Sequence, residues 1–254
     1  MIDPYLTEWN PREYLRTYYS GPVYDDDRVI FAAAAAWVKT CGRRFDRCLE
    51  VGCGPTVHHA IPFVPVVGEF HTSDFVPANL DEVRKWRDRA TDAHDWSRFV
   101  SEALAIEGAD SSDSGVNQRE DELRQKLTAL KACNLRQPAP LGETATYDLV
   151  LSFYTAECAA TNRDDWRAVM RHLLGLVRPG GSVFMASILN CERYDILGRW
   201  FHTTAVSVAD VSAALVENGF PERGTVIQSA NTPDMIDHGF AGIYLVSATK
   251  AGHG

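Results

Sequence analysis

The residues with the plainest chemistry are Arg47-Cys48-Leu49-Glu50-Val51-Gly52-Cys53-Gly54-Pro55-Thr56, a short apolar strand that empties into a Gly-x-Gly turn behind a carboxylate. Glycine is needed where φ must be positive or where a Cβ would meet a ligand, so strand, Gly-x-Gly and helix in succession describe a nucleotide-edge site. A dinucleotide fingerprint wants a third glycine where this chain has Val57, and no Gly-Lys-Ser/Thr follows to make a phosphate loop. About twenty residues on, Gly68-Glu69-Phe70-His71-Thr72-Ser73-Asp74 forms a second strand ending in an acid placed to accept both hydroxyls of a ribose. A nucleoside with a cationic group and no phosphate suits this acidic turn better than NAD does. S-adenosylmethionine, with its ribose and positive sulfonium, has that make-up.

A chain of 254 residues with 45% hydrophobic content can bury one large α/β core, and a single domain over 1–254 is expected. With 25 basic against 34 acidic side chains the net charge is −9, and no basic cluster interleaved with aromatics occurs, so nucleic acid is excluded as a partner. The six cysteines, Cys41, Cys48, Cys53, Cys133, Cys158 and Cys191, form no Cys-x-x-Cys pair, which points to reduced thiols, with no metal site and no disulfide framework expected. Met1-Ile2-Asp3-Pro4 lacks a basic stretch followed by an apolar run, and no apolar run reaches membrane-spanning length, so a cytoplasmic protein without membrane attachment is expected.

The elements that must position the turn and the acid follow from pattern. Asn10-Pro11 caps a short helix over 11–19 crowded with tyrosines, and an alanine-rich helix over 27–40 precedes the first strand at 46–51. A helix over 57–64, the strand ending at Asp74, and helices over 77–90 and 95–106 come next. Residues 108–118 are polar and serine-rich and are expected as an exposed loop, then a helix over 120–131 and a short strand over 132–135 beside the first. The unbroken apolar run Tyr147 to Phe153 is a buried strand. A helix over 164–177, the sharp turn Arg178-Pro179-Gly180-Gly181, a strand over 182–188, a helix over 208–218 and strands over 225–229 and 242–249 complete the chain. Alternating strands and helices closed by two late strands imply a doubly wound α/β sheet, mostly parallel, with an antiparallel edge hairpin.

In order and spacing, Asn10-Pro11-Arg12-Glu13-Tyr14-Leu15, Tyr18-Tyr19, Glu50 to Thr56, Asp95-Trp96-Ser97 and Arg178-Pro179-Gly180-Gly181 resemble the nicotinamide, phenylethanolamine and thioether/indolethylamine N-methyltransferases, from about residue 5 to 250. The resemblance implies a Rossmann-like class I methyltransferase with a seven-stranded sheet, S-adenosyl-L-methionine as donor, and an N-terminal helical lid, residues 1–40, closing over cofactor and acceptor. By position it places Tyr14 and Tyr19 at the methionine part of the cofactor. Gly52, Gly54 and Thr56 form its loop, Asp74 and Asn79 take the ribose and adenine side, and Asn134 and Leu135 stand where the family often has an aspartate and a valine. His58, in place of a usual tyrosine, lines the cofactor cleft. Phe153-Tyr154 replaces a small polar pair and makes that wall more aromatic. Ala186-Ser187 stands where the nicotinamide enzymes carry an aspartate, which disfavours nicotinamide.

Methyl transfer from a sulfonium is an in-line displacement that needs no covalent nucleophile and no metal. The site must hold the acceptor about 3 to 3.5 Å from the methyl carbon in an aromatic, partly dry cavity with one or two polar groups to orient it and take a proton. Tyr18, Glu157 and Glu192 are the candidates for that polar work. Tyr18, Tyr154, Glu157, Asn190, Tyr194, Thr203 and His238 are the candidates for acceptor contact. Two readings of Glu157 stand, a base or ammonium anchor and an N-terminal helix charge. The expected partner is a small aromatic molecule, an arylalkylamine or indole methylated on nitrogen; methylation at indole C3, with Glu157, Glu192 or His238 relaying the N–H proton, is the alternative. A non-catalytic cofactor-binding partner protein is the reading from a different class, and both monomer and dimer fit the sequence.

Overall fold

The computed structural model describes residues 4–252; of the leader reading made at Met1 to Pro4, Met1 to Asp3 lie outside them. Seven strands form one sheet in the order β3-β2-β1-β4-β5-β9-β8, where β1 is Phe45–Val51, β2 Val67–Asp74, β3 Leu127–Ala132, β4 Tyr147–Phe153, β5 Val177–Ile188, β8 Val226–Asn231 and β9 Gly242–Thr249. The first five are parallel, and β9 runs antiparallel to both β5 and β8. This is the doubly wound, mostly parallel sheet with an antiparallel edge.

Both faces are covered, which is why the central strands are near-continuous apolar runs. Leu149, Leu151 and Phe153 of β4 face a cluster with Ile30, Phe31, Phe63, Trp96 and Phe99. Val150 faces the opposite cluster, built on Trp166, Met170, Leu173 and Leu215. Helices α3 (Asp25–Thr40), α5 (Ser97–Glu107) and α6 (Asp113–Lys126) cover the first face, and α8 (Arg163–Gly175) and α9 (Val208–Glu217) the second. Each large side chain fully buried this way contributes about 1.5–3 kcal/mol.

Three expectations change. The polar stretch 108–118 is helix from Asp113 onward: α6 starts after Ser112 and buries Val116, Glu120 and Leu123 at helical spacing while Asp113, Ser114, Asn117 and Gln118 face water. The helix therefore ends at Lys126, and Leu127–Ala132, expected as its last turns, is the strand β3. That strand pairs with β2 and lies beyond it from the first, with Leu127 opposite Phe70. A hairpin of β6 (Arg193–Ile196) and β7 (Arg199–His202), turned by Leu197 and Gly198, was not anticipated.

The described residues before α3 lie across the carboxyl ends of the strands. Short α1 (Pro4–Thr7) precedes α2 (Pro11–Tyr18), which opens on Pro11 with the Asn10 side chain accepting the N–H groups of Arg12 and Glu13. The segment is tied down at several points: the Trp9 indole N–H donates to Asn79 Oδ1 at 2.8 Å, Arg12 pairs with Glu82 at 2.9 Å, and the Tyr18 hydroxyl donates to the Asp195 carbonyl. The cover ends before Asp25, because α3 sinks Ile30, Phe31 and Ala34 into the core and belongs to the sheet's first face.

Candidate active site

The strand ends and the cover enclose one aromatic-walled cavity of about 170 Å³. At one end lies the glycine turn. Gly52 (φ +70°) and Gly54 (φ +59°) hold left-handed backbone, and the N–H groups of Gly52 and Cys53 both donate to the Ser73 carbonyl, locking the ends of β1 and β2 together. A Cβ on Gly52 would come within 2.2 Å of the Thr155 side chain, so the turn can close against the chain after β4 only with glycine there. A Cβ on Gly54 would point toward the Tyr14 ring, 4.0 Å away, into the gap between turn and cover.

Asp74 terminates β2 and is buried. Its Oδ2 accepts the Gly54 N–H at 2.8 Å, and its Oδ1 accepts the Val76 N–H at 2.8 Å and the Asn79 amide at 2.9 Å. Burial raises its pKa, and those donors pull against the rise. Beyond it the wall continues through Phe75, Val76, Asn134, Leu135 and Arg136. The Asn134 Oδ1 accepts the Arg136 N–H, so its amide group is the part left to address an adenine edge. A left-handed glycine turn with open space above it, next to a buried acid at the neighbouring strand's end, fits the nucleoside half of S-adenosylmethionine.

The other end of the cavity is lined by Tyr5, Trp9, Tyr18, Tyr194, Met235 and Phe240, with Asp26, His59 and Tyr154 as its polar members. Trp9 and Tyr14 rings lie 4.8 Å apart and Tyr14 and Tyr18 rings 5.1 Å apart, giving a run of tilted aromatic faces. Tyr154 has φ +54°, unusual for an aromatic side chain, and its hydroxyl donates to Asp26 Oδ2 at 2.8 Å. The other oxygen, Asp26 Oδ1, is buried without a hydrogen-bond partner. Burial, then the charge of Asp27, pushes the Asp26 pKa to about 8 against the pull of the Tyr154 hydroxyl.

Behind Asp26, Asp27 Oδ1 faces His58 Nε2 at 3.0 Å and His59 Nε2 at 3.3 Å, all three side chains buried. Burial would raise the Asp27 pKa, but the two imidazoles outweigh it and hold the carboxyl below its usual range. Burial and the neighbouring His58 lower the pKa of His59. The donor atoms are close enough to share an ion. However, the two rings overlap at 3.9 Å between centroids, whereas rings on a shared ion diverge from it; Asp27 hydrogen-bonds His58, and His59 Nε2 stands beside the same oxygen as an ion-pair contact without a hydrogen bond. His59 also stacks on Phe153 at 4.2 Å.

The structure brings thirteen of the sequence-derived residues onto this one cavity: Tyr14, Tyr18, Tyr19, Gly52, Gly54, Thr56, Asp74, Asn79, Asn134, Leu135, Phe153, Tyr154 and Tyr194. Six stand elsewhere. His58 is fully buried behind the wall, stacked on Trp96 at 4.8 Å, and the cavity-facing histidine is its neighbour His59. Glu157 is fully buried beneath the site in the first turn of the short helix Ala156–Ala159, where the helix-charge reading put it, and its two oxygens accept the Ser187 and Tyr244 hydroxyls, which leaves none for an acceptor. Thr203 is buried with its hydroxyl on the Cys191 carbonyl, while Glu192 and Asn190 are exposed on the loop leading into the β6–β7 hairpin. His238 packs on the outer side of Tyr18 at 4.8 Å. Conversely, Tyr5, Trp9, Asp26, His59, Cys158, Met235 and Phe240 line the cavity unannounced. Asp26 in Asp25-Asp26-Asp27 was hidden because acids in a first helical turn ordinarily answer the helix dipole.

Since Glu157 is committed to two hydroxyl donors, Glu157→Gln is expected to lower stability by about 1–3 kcal/mol through a mismatched buried bond while leaving the KM for donor and acceptor unchanged. Thermal melts beside steady-state kinetics check it; a loss of turnover at unchanged melting temperature would return Glu157 to the chemistry.

A family model described as the NNMT/PNMT/TEMT family matches residues 2–251 of the chain. Indolethylamine N-methyltransferase of Mus musculus is 31% identical over 224 residues, covering 85% of this chain and 84% of the relative. Phenylethanolamine N-methyltransferase of Homo sapiens is 26% identical over 259 residues, covering 96% and 89%. Among solved structures, magnesium protoporphyrin IX methyltransferase from Synechocystis PCC 6803 with bound SAM superposes with a TM-score of 0.59 at 14% identity, covering 98% of this chain and 95% of that one. The Burkholderia thailandensis 1,6-didemethyltoxoflavin-N1-methyltransferase does so at 0.53 and 15% identity, covering 95% and 87%. These two likenesses establish the fold.

Proposed function

Since the chain belongs to the NNMT/PNMT/TEMT family and is therefore an S-adenosylmethionine-dependent small-molecule methyltransferase, we propose that it methylates the nitrogen of a small aromatic amine, an arylalkylamine or an indole. The observation that carries this reading is the continuity of one cavity from Gly52, Gly54 and Asp74 to an aromatic wall containing a single acid, Asp26. When bound, the donor supplies a methyl carbon on a positive sulfur. The chain's own work is to orient and to exclude water. Gly54 and Asp74 hold the nucleoside, and Asn79 steadies Asp74 and anchors the cover. Tyr14 and Tyr19, whose hydroxyls lie 3.3 Å apart, form the inner face of the cover, and Tyr18, Tyr154 and Tyr194 wall the acceptor.

A second reading, methylation at indole C3, is favoured by His59, an imidazole on the cavity wall backed by Asp27. Attack through C3 is completed by loss of one proton, from C3 of an unsubstituted indole or from N–H of a C3-substituted one, and His59 is better placed to take it than Glu157, Glu192 or His238. The test is incubation with S-adenosylmethionine and, separately, tryptamine, phenylethylamine, indole and nicotinamide, with product mass and NMR position of the new methyl. Methylamine products are expected from the first two and none from nicotinamide. A C3-methyl indole would select the second reading, and no S-adenosylhomocysteine formation with any acceptor would overturn both. No helix among the described residues is long and apolar enough to cross a membrane.

A further inference from the structure

The cavity wall carries two acids, Asp74 and Asp26. Asp74 serves the nucleoside end; behind the wall, Glu157 lies between two hydroxyls, Asp27 is shared by two imidazoles, and Glu50 accepts the Thr72 hydroxyl on one oxygen while its other oxygen, buried away from the cavity, has no partner. Asp26 alone has a buried oxygen without a partner on the cavity wall. We propose that Asp26, held by the Tyr154 hydroxyl, binds the cationic nitrogen of the acceptor and takes its proton, so that the acceptor class is an ammonium-bearing arylalkylamine and not a neutral ring nitrogen. This rests on the reading of the cavity as an acceptor site.

Three independent features support it. Buried polar atoms are nearly always paired, and an orphan carboxylate oxygen at 6% residue exposure marks the place of a missing donor. Tyr154 keeps a left-handed backbone in order to aim its hydroxyl at the other oxygen, and strain of that kind in a bulky residue concentrates at ligand clamps. The surrounding rings of Tyr14, Tyr18 and Tyr154 offer faces to a cation; the cavity's one guanidinium, Arg136, stands at the nucleoside end, and burial lowers the pKa of the His59 imidazole.

An ammonium has no lone pair, so it must lose a proton before it can attack carbon. In the proposed step the N–H bond breaks, its electron pair stays on nitrogen, and an O–H bond forms on Asp26. The groups that set how readily Asp26 takes the proton are Asp27 on its own helix, Asp234 from the turn Pro233–His238, the Tyr154 hydroxyl, and the phenols of Tyr14, Tyr18 and Tyr19. The two nearby carboxylates favour protonation of Asp26, and a proton acceptor near the working pH is the efficient kind.

The experiment measures binding of tryptamine and of its neutral counterpart tryptophol to the full chain with S-adenosylhomocysteine present, in wild type, Asp26→Asn and Tyr154→Phe, by calorimetry at pH 8. Wild type is expected to prefer the amine by about 10- to 100-fold, the range for a hydrogen bond to a charged group. Asp26→Asn should abolish the preference, and Tyr154→Phe should keep part of it. Equal wild-type affinity for the two ligands overturns the proposal, as does a preference that survives Asp26→Asn. Unchanged S-adenosylhomocysteine affinity in each variant reports a folded cofactor end. If the amine preference depends on Asp26 but no amine is methylated, the anchor stands and the catalytic reading falls; if amines are methylated and the preference ignores Asp26, the reverse holds.

Discussion

Asp74→Ala is expected to weaken S-adenosylhomocysteine binding by roughly two to three orders of magnitude, read by calorimetric titration. Each hydrogen bond to a charged group contributes about 1.5–3 kcal/mol, and a ribose presents two hydroxyls to a carboxylate at this position. The alanine also releases the Gly54 N–H, the Val76 N–H and the Asn79 amide, so the glycine turn loses its link to β2 at the same time. Asp74→Asn preserves the shape and some of the acceptor capacity, and an intermediate loss of about tenfold is expected for it. Affinity unchanged in both variants would remove Asp74 from the site and with it the registration of the nucleoside on the glycine turn.

Asp27→Ala is expected to be the most destabilising single change in the site. Removing one partner from a buried charged group costs about 3–5 kcal/mol because the other is left uncompensated, which for a chain of this size lowers the melting temperature by about 10 °C. Here two imidazoles would be stranded, His58 at 3.0 Å and His59 at 3.3 Å from the lost oxygen. Asp27 has a folded pKa below its unfolded one, so its contribution is present above about pH 4 and is lost as pH falls through the folded value. His59 is also depressed in the fold; the unfolded chain therefore gains that proton first, and stability declines as pH drops below about 6.5. Wild type should lose stability in these two stages, and Asp27→Ala should lack the lower one. Melting curves from pH 1.5 to 8 check it, and a stability loss under 1 kcal/mol for Asp27→Ala would show that the cluster is solvated in solution.

The parts of the fold that were legible are those where one physical cause dominates. β4 declared itself through Leu149, Val150 and Leu151, apolar on both faces because both faces are covered. Gly52 and Gly54 declared the turn because only glycine tolerates that backbone beside Thr155. Where two causes share one composition the pattern was silent. Asp113 and Ser114, ahead of Val116, look like loop yet form the solvent side of a helix, and Asp26 looks like a dipole charge yet faces a cavity. Glu157 failed in the opposite sense: an acid after a strand end resembles a catalytic one until Ser187 and Tyr244, distant in sequence, are seen to close around it. The β6–β7 hairpin escaped notice because its turn uses Leu197 at φ +49° ahead of Gly198, not one of the small polar residues that usually announce such turns.

Trp9 holds the cover shut by donating to Asn79, and Asn79 in turn donates to Asp74. A ligand that draws on Asp74 therefore acts on the latch through a single shared amide, and by reciprocity whatever stiffens the latch tightens the grip on that ligand.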